Sequence, residues 1–127
     1  MTPVEGEARN LNVGARAMVR RTYDESKLKA FESLTGTLPE TVPEPLIAAL
    51  FSYLLGVKLP GPGTNYLKQD LEFLEAAPIN EELEASVEIT RLRPDKHLVD
   101  LLAECRTESG KLICRGRSLV LAKDVGA

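Results

Sequence analysis

The chain has 127 residues, a length typical of a single domain. Its 16 Lys and Arg against 19 Asp and Glu give a net charge of −3, which argues against a nucleic-acid-binding protein, since such proteins usually carry a basic surplus on one face. Hydrophobic residues make up 43% of the chain, but the longest apolar run, 45–55, is too short to cross a bilayer and the N-terminus is no signal peptide, so we expect a globular protein without a membrane partner.

A polar segment and a first strand open the chain. Residues 1–12 are polar and aperiodic, and we interpret them as an arm ahead of one domain that spans 13–127. The imperfect alternation over 15–23 predicts a strand. It places Ala17 and Val19 on one face.

A short amphipathic helix is predicted next. Asp24 is its candidate N-cap and Gly36 its candidate C-terminal stop. Leu28, Phe31 and Leu34 recur at a spacing of three and predict its apolar stripe.

The second predicted helix is apolar almost all round. A proline-rich connection over 37–45 leads to it, and Pro45 is suited to the first turn of a helix. The helix is predicted over 46–55, with Gly56 closing it. A helix without a polar face should be surrounded on most sides by other structure.

Four strands are predicted in the remainder of the chain. They cover 64–73, 83–92, 97–106 and 111–121. The Leu-Pro-Gly-Pro-Gly loop of 59–63 precedes them, and we expect the four strands to form a meander. The predicted fold class is α+β, with an antiparallel sheet wrapped around the central apolar helix.

The sequence around that loop resembles a known family. Residues 55–67 read Leu-Gly-Val-Lys-Leu-Pro-Gly-Pro-Gly-Thr-Asn-Tyr-Leu, and Gln69, Leu71 and Phe73 follow. This run resembles the MaoC-like (R)-specific enoyl-CoA hydratases, which have the hotdog fold. The segments 31–36, 92–96 and 110–121 are also similar to that family, so the resemblance covers most of 14–123. It implies a single hotdog domain, with 46–55 as its central helix.

The sequence departs from the family where the catalytic motif is expected. The family reads Asp-x-Asn-Pro-x-His after the position of Gly36, and that Asp and His activate the water. Here Thr37 stands in place of the Asp, and 38–42 contain neither the Asn-Pro pair nor the His. The family's His-Gly pair before the central helix corresponds to Pro43 and Glu44. The segment is therefore shortened and lacks the family's acid-base residues.

Two acidic residues lie near the missing motif. Glu44 at the start of the central helix and Glu40 just before it are candidate replacements in catalysis. The alternative is that Glu44 stabilises the helix N-terminus and Glu40 is a solvated loop charge. The single histidine, His97, lies far along the chain and is interpreted as a surface or hairpin residue.

The resemblance implies that the proline–glycine loop borders the acyl-thioester tunnel. The candidate substrate-binding residues are Leu59, Pro60, Gly61, Pro62, Gly63 and Tyr66. The loop is not a phosphate-binding loop, because no Gly-Lys-Ser/Thr follows it. The alternative is that it only turns the chain between helix and strand.

The cysteines and arginines carry weaker signals. A two-residue turn at Ser109–Gly110 would place Cys105 opposite Cys114, whereas a longer loop would move them out of register. We interpret both as small apolar residues of the core in a cytoplasmic protein, and we expect neither a metal nor a cofactor. The arginines that could pair with a CoA phosphate, but that mostly should be solvated, are Arg20, Arg21, Arg91, Arg93, Arg106, Arg115 and Arg117.

Three functions remain open at this stage. The first is a catalytically degenerate MaoC-like subunit of fatty acid metabolism that binds acyl-CoA or acyl-carrier protein, or that shapes the tunnel of a partner. The second is an active hydratase, dehydratase or thioesterase that uses Glu40 or Glu44. The third is a binding or regulatory module without a thioester role. The hotdog resemblance implies a homodimer or a heterodimer with another hotdog subunit, which would also cover exposed strand edges.

Overall fold

The computed structural model describes residues 11–125. Residues 1–10 of the predicted arm, and 126–127, lie outside the described residues, so the boundary at residue 12 stays a prediction. The described elements are β1 (Arg16–Thr22), α1 (Glu25–Thr35), α2 (Glu44–Tyr53), β2 (Asn65–Phe73), β3 (Glu82–Arg93), β4 (Leu98–Thr107) and β5 (Leu112–Leu121). The predicted α+β class is confirmed.

All five strands join one antiparallel sheet in the order β1-β3-β4-β5-β2. The predicted meander is correct for β3, β4 and β5 but wrong for β2. Instead of lying beside β3, β2 pairs with β5 at the far edge of the sheet. The pattern of alternation fixes which residues share a face but not which strand is the neighbour, and this explains the error.

The core lies between the inner face of the sheet and α2. Alternate residues of β3 and β4 point inward and are buried, as predicted from their sequence. The helix packs over β3 and contributes Ile47, Leu50 and Phe51 to this core. The inward residues of the two strands are Leu83, Ala85, Val87, Ile89, Val99, Leu101, Ala103 and Cys105.

Both ends of α1 match the prediction, but its apolar stripe does not. The Asp24 carboxylate accepts a hydrogen bond from the Lys27 N–H at 2.9 Å, and Gly36 ends the helix at φ 84°. Leu28 is fully buried, whereas Leu34 is 84% exposed. Each step of three residues falls about 60° short of a full turn, so two such steps carry Leu34 away from the buried face.

The helix α2 also differs from its prediction at two points. Gly56 does not close it, because the chain continues through a π-helical turn, Leu54–Lys58, that contains this glycine. The helix is not surrounded on most sides either, since Tyr53 is 41% exposed and Ala49 and Ser52 are exposed beside it. One sheet covers only the side of the helix that lies against it.

Candidate functional site

The proline–glycine loop at the C-terminal end of α2 is tied to the helix. The Leu59 N–H donates to the Leu54 carbonyl at 2.8 Å, and the Gly61 N–H donates to the Leu55 carbonyl at 3.0 Å. The first three residues of Leu59–Gly63 are buried and the last two are exposed. The loop therefore has a fixed base and an accessible tip.

Gly63 at the loop tip is required by its backbone and its neighbours. Its φ is +98°, in the region that favours glycine. A Cβ at this position would also overlap the backbone of Asp124, which follows β5. The chain after β5 thus packs against the loop.

Tyr66 lies just beyond the loop, in a small polar cluster on the inner face of the sheet. Its hydroxyl is 3.5 Å from the Ser118 Oγ, and the Gln69 amide donates to the same oxygen at 3.4 Å. Ser118 is 1% exposed and Tyr66 is 37% exposed. Burial raises the pKa of the Tyr66 phenol, and the hydrogen bond with Ser118 opposes this in part.

The family resemblance predicts Tyr66 as a site residue but predicts neither of its two hydrogen-bonding partners. Ser118 occupies an inward position in the alternation of β5, between Gly116 and Val120. Gln69 is its cross-strand partner in β2. A serine at a core position was the available signal, because a buried hydroxyl needs a hydrogen-bonding partner.

The N-terminal end of α2 carries the two candidate acids. The connection before it is held by one backbone hydrogen bond, from the Val42 N–H to the Ala77 carbonyl at 2.9 Å. Glu40 lies in this connection and Glu44 is the first residue of α2, and both are exposed. Within residues 11–125 neither carboxylate makes an ion pair or a side-chain hydrogen bond.

The structure keeps the two sets of predicted site residues apart. Glu40 and Glu44 lie at one end of α2, while Leu59–Gly63 follows the other end and leads to Tyr66. A ten-residue helix such as α2 is about 15 Å long, and the π-helical turn adds to this separation. The acids and the loop therefore do not form one compact site within a single chain.

Most of the candidate arginines are engaged on the outer face of the sheet. Arg20 pairs with Glu84 at 3.0 Å, and Arg106 and Arg115 each approach Glu104 at 3.5 Å. These pairs alternate in sign across neighbouring strands. They make this part of the outer face a mixed charged surface.

Asp100 is the one buried carboxylate in the described part of the chain. Arg93 Nη2 donates to one of its oxygens at 2.7 Å and Arg117 Nη2 donates to the other at 2.6 Å. Burial alone would raise the pKa of Asp100, but the two guanidinium groups outweigh burial and hold the pKa below its ordinary value. The carboxylate therefore stays ionised.

The two cysteines lie directly opposite each other in β4 and β5. The hairpin loop is longer than two residues, yet a bulge next to Cys105 restores the register with Cys114. The expectation that a longer loop would separate them is therefore wrong. Both are buried free thiols, and burial raises the pKa of Cys105 to about 12 and that of Cys114 to about 11. Thiols this weakly acidic are poor nucleophiles.

Neither His97 nor a cluster of possible metal ligands gives a further candidate site within residues 11–125. His97 is exposed in the turn between β3 and β4, with φ 57°. Among residues 11–125, no three His, Cys, Asp or Glu side chains cluster as metal ligands. Over the same range, no helix is long and apolar enough to cross a membrane.

Comparison with proteins of known sequence and structure assigns this chain to a family. No protein-family model matches the chain. It is 32% identical to the (R)-specific enoyl-CoA hydratase of Aeromonas caviae, over 89% of this chain and 96% of that protein. It is 30% identical to the (R)-specific enoyl-CoA hydratase of Rhodospirillum rubrum, over 88% of each chain.

The solved structures agree with the sequence matches. The structure of the (R)-hydratase from A. caviae involved in PHA biosynthesis superposes with a TM-score of 0.80, covering 89% of this chain and 98% of that one. A chain of the ChsH1-ChsH2 complex from Mycobacterium tuberculosis is 13% identical, with a TM-score of 0.71 over 87% of this chain and 97% of that one, and shares the fold. Because sequence identity and fold agree over nearly the full length of both chains, this protein belongs to the MaoC-like (R)-specific enoyl-CoA hydratase family, with the hotdog fold.

Proposed function

We propose that this chain is an acyl-thioester-binding hotdog subunit that lacks the family's acid-base pair and completes the acyl site of a second hotdog chain. The observation that carries the proposal is the contrast between the two ends of α2. The loop end is packed as a binding surface requires. The other end, as the resemblance implies, is shortened, and its exposed carboxylates lie near the places of the family's Asp and His.

The thioester ligand is inferred from the relatives and from the loop. Two relatives are named (R)-specific enoyl-CoA hydratase, and a third, 34% identical over 58% of this chain, is a 3-hydroxybutyryl-CoA dehydratase of Methylorubrum extorquens. The fixed loop Leu59–Gly63 and the half-buried Tyr66 offer apolar surface beside a few hydrogen-bonding groups. This is the usual make-up of a small-molecule site. The proposed ligand is therefore an acyl-CoA, with an acyl-carrier protein as the alternative donor of the same thioester.

We expect the single chain to be inactive because hydration needs acid-base groups that it does not offer. Adding water to an enoyl thioester requires a base for the water, an acid for the α-carbon and donors to the thioester oxygen. A carboxylate that replaces a close Asp–His pair needs a buried position beside the substrate. Glu40 and Glu44 are exposed, so they do not meet that requirement in the single chain.

A second hotdog chain is the proposed partner because β1 and β2 end the sheet with edges that no other strand of residues 11–125 pairs with. Along β2 most residues are exposed, and Leu67 at the bulge of this strand is 53% exposed. An edge strand with exposed apolar side chains favours pairing with another strand. The ChsH1-ChsH2 chain with the same fold comes from a complex of two proteins, which supports a heterodimer over a homodimer here.

The direct test measures hydration and binding of crotonyl-CoA by the purified full chain. We expect no loss of the enoyl absorbance, together with saturable binding of crotonyl-CoA by calorimetry. Turnover by the chain alone would overturn the proposal that it lacks catalytic activity. The variants Glu40→Gln and Glu44→Gln would then identify the acid or base. Neither turnover nor binding would overturn the thioester function and favour a regulatory module.

A matched pair of tyrosine variants tests where the thioester binds. Tyr66→Ala removes the phenol next to the loop, and Tyr53→Ala removes a tyrosine of similar exposure on α2. We expect crotonyl-CoA affinity to fall in Tyr66→Ala and to stay unchanged in Tyr53→Ala. Equal affinity in both variants would place the ligand away from the loop.

A further inference from the structure

A cavity of about 250 Å³ lies at the end of the sheet, where the β3–β4 turn meets the residue that follows β5. It shares no lining residue with Leu59–Gly63 or Tyr66. Its apolar walls are Leu11, Leu92, Pro94, Leu98, Val99 and Ala122, and the remaining lining residues are Arg93 and His97. The cavity is thus an apolar chamber with a cationic side chain in its wall.

Arg93 uses only part of its guanidinium group within residues 11–125. Its Nη2 donates to Asp100 at 2.7 Å, and its Nη1 makes no hydrogen bond within that range. The Nε has no partner there either, but it is buried and out of reach of a ligand. The Arg93 side chain is 26% exposed and lines the cavity, so part of its guanidinium is open to a ligand.

The positive charge around Arg93 is also not fully balanced by Asp100. The single carboxylate of Asp100 is shared between Arg93 and Arg117, which binds its other oxygen at 2.6 Å. One carboxylate against two guanidinium groups leaves one positive charge in the cluster. Since guanidinium groups form strong hydrogen bonds with carboxylates, a second carboxylate on the exposed part of Arg93 would balance the charge.

We propose that this cavity binds a short-chain aliphatic monocarboxylate, with its carboxylate on Arg93 and its alkyl chain against the apolar walls. The volume corresponds to about eight water-sized units at ~30 Å³ each. Hexanoate, with six carbons and two oxygens, has this size. An alcohol of the same length would leave the charge unbalanced, and an amine would add a second positive charge beside Arg93.

The binding test uses calorimetry on the full chain with hexanoate, hexanol and hexylamine. We expect one hexanoate per chain, and at least roughly tenfold weaker binding of the other two, because a hydrogen bond to a charged group is worth about a tenfold change or more. Equal affinity for hexanol, or no binding of hexanoate, would overturn the proposal.

Two arginine variants make a matched comparison. Arg93→Gln and Arg117→Gln each remove one guanidinium from Asp100, but of the two side chains Arg93 lines this cavity and Arg117 does not. We expect hexanoate affinity to fall roughly tenfold or more in Arg93→Gln and to fall by less in Arg117→Gln, which lowers the positive charge but keeps the guanidinium that lines the cavity. An equal loss in both variants would show a general effect of charge and overturn the site.

A steric variant keeps the proposal testable if Arg93→Gln does not fold. Ala122→Leu fills the cavity and preserves every charge. We expect it to lose hexanoate binding while crotonyl-CoA binding by the same protein is unchanged. Retained hexanoate binding would overturn the proposal, and loss of crotonyl-CoA binding alone would bear on the thioester function instead.

Discussion

The two ends of α2 differ in how firmly they are held. At the C-terminal end, two backbone hydrogen bonds tie Leu59–Gly63 to the helix, and the residues after β5 pack against the loop tip. At the N-terminal end, the connection before Glu44 has one backbone hydrogen bond and exposed acids. The sequence resemblance to the family rests on the first end, and the proposed loss of the acid-base pair falls at the second.

Under the proposed function, this chain keeps the surface that binds a ligand without the groups that transform it. The loop end depends on packing and backbone geometry, which the rest of the fold also requires. The acid-base end depends on side chains whose loss costs the fold little, since exposed charges contribute little to stability. Selection on folding alone would therefore preserve one end of α2 and not the other.

The largest expected effect comes from breaking the firmly held end with Gly63→Ala. The added methyl group would overlap the backbone of Asp124 and place alanine at φ +98°. We expect a loss of about 3 kcal/mol in the free energy of unfolding, measured by urea denaturation. Gly36→Ala is the control, because it has φ +84° but open space around the new Cβ, and it should lose about 1 kcal/mol. Equal losses would mean that Asp124 does not pack on the loop in solution.

The second-largest expected loss of stability comes from the connection before the N-terminal end of α2. Val42 is 3% exposed and anchors the connection before Glu44 to the core. Removing its two methyl groups in Val42→Ala should cost about 2 kcal/mol by urea denaturation. Val57→Ala, at a valine that is 53% exposed, should cost less than about 0.5 kcal/mol. A loss in Val42→Ala as small as this control would show that the connection is detached from the core.

The buried thiols of Cys105 and Cys114 should make the free energy of unfolding depend on pH. Burial raises the pKa of Cys105 to about 12 and that of Cys114 to about 11, and the charge of Glu44 at the N-terminal end adds to the second shift. An unfolded thiol has a pKa of about 8.5, so the stabilisation is fully present below that pH and is lost as the pH rises toward the folded values. We expect at most about 1.4 kcal/mol of lost stability per thiol for each pH unit above about 8.5.

Urea denaturation in reductant between pH 8 and pH 10 measures this loss. Cys114→Ala removes one of the two thiols and should reduce the slope of stability against pH by about half. The slope rather than the absolute stability is compared, because the smaller side chain also leaves a void. An unchanged slope would show that Cys114 does not stay buried and protonated in the folded state.

Local signals in the sequence were sufficient for the parts of the fold that depend on neighbouring residues. Asp24 and Gly36 mark the ends of α1 because capping involves residues a few positions apart. The alternation of Ala85, Val87 and Ile89 predicts the buried face of β3 because a strand has a period of two.

Contacts between distant residues were not predictable in the same way. Gly116 permits β5 to approach β2 so closely that a Cβ there would overlap the backbone of Asp70. In the sequence it is only a glycine within a strand, which indicates a close approach without naming the neighbour. The pairing of Ser118 with Tyr66 and the bulge that aligns the cysteines likewise depend on strand neighbours.

The smallest expected effect comes from Glu44→Gln at the acid end of α2. Glu44 is exposed and makes no ion pair among residues 11–125, so its contribution is limited to a favourable charge at a helix N-terminus. We expect a loss of about 0.5 kcal/mol or less by urea denaturation, with crotonyl-CoA binding unchanged. Glu40→Gln should have no measurable effect, because Glu40 precedes the helix. A loss above about 1 kcal/mol in Glu44→Gln would place this carboxylate at a buried contact, since exposed charges are worth less than that. Such a contact would restore Glu44 as a candidate for acid-base chemistry and remove the contrast between the two ends of the helix.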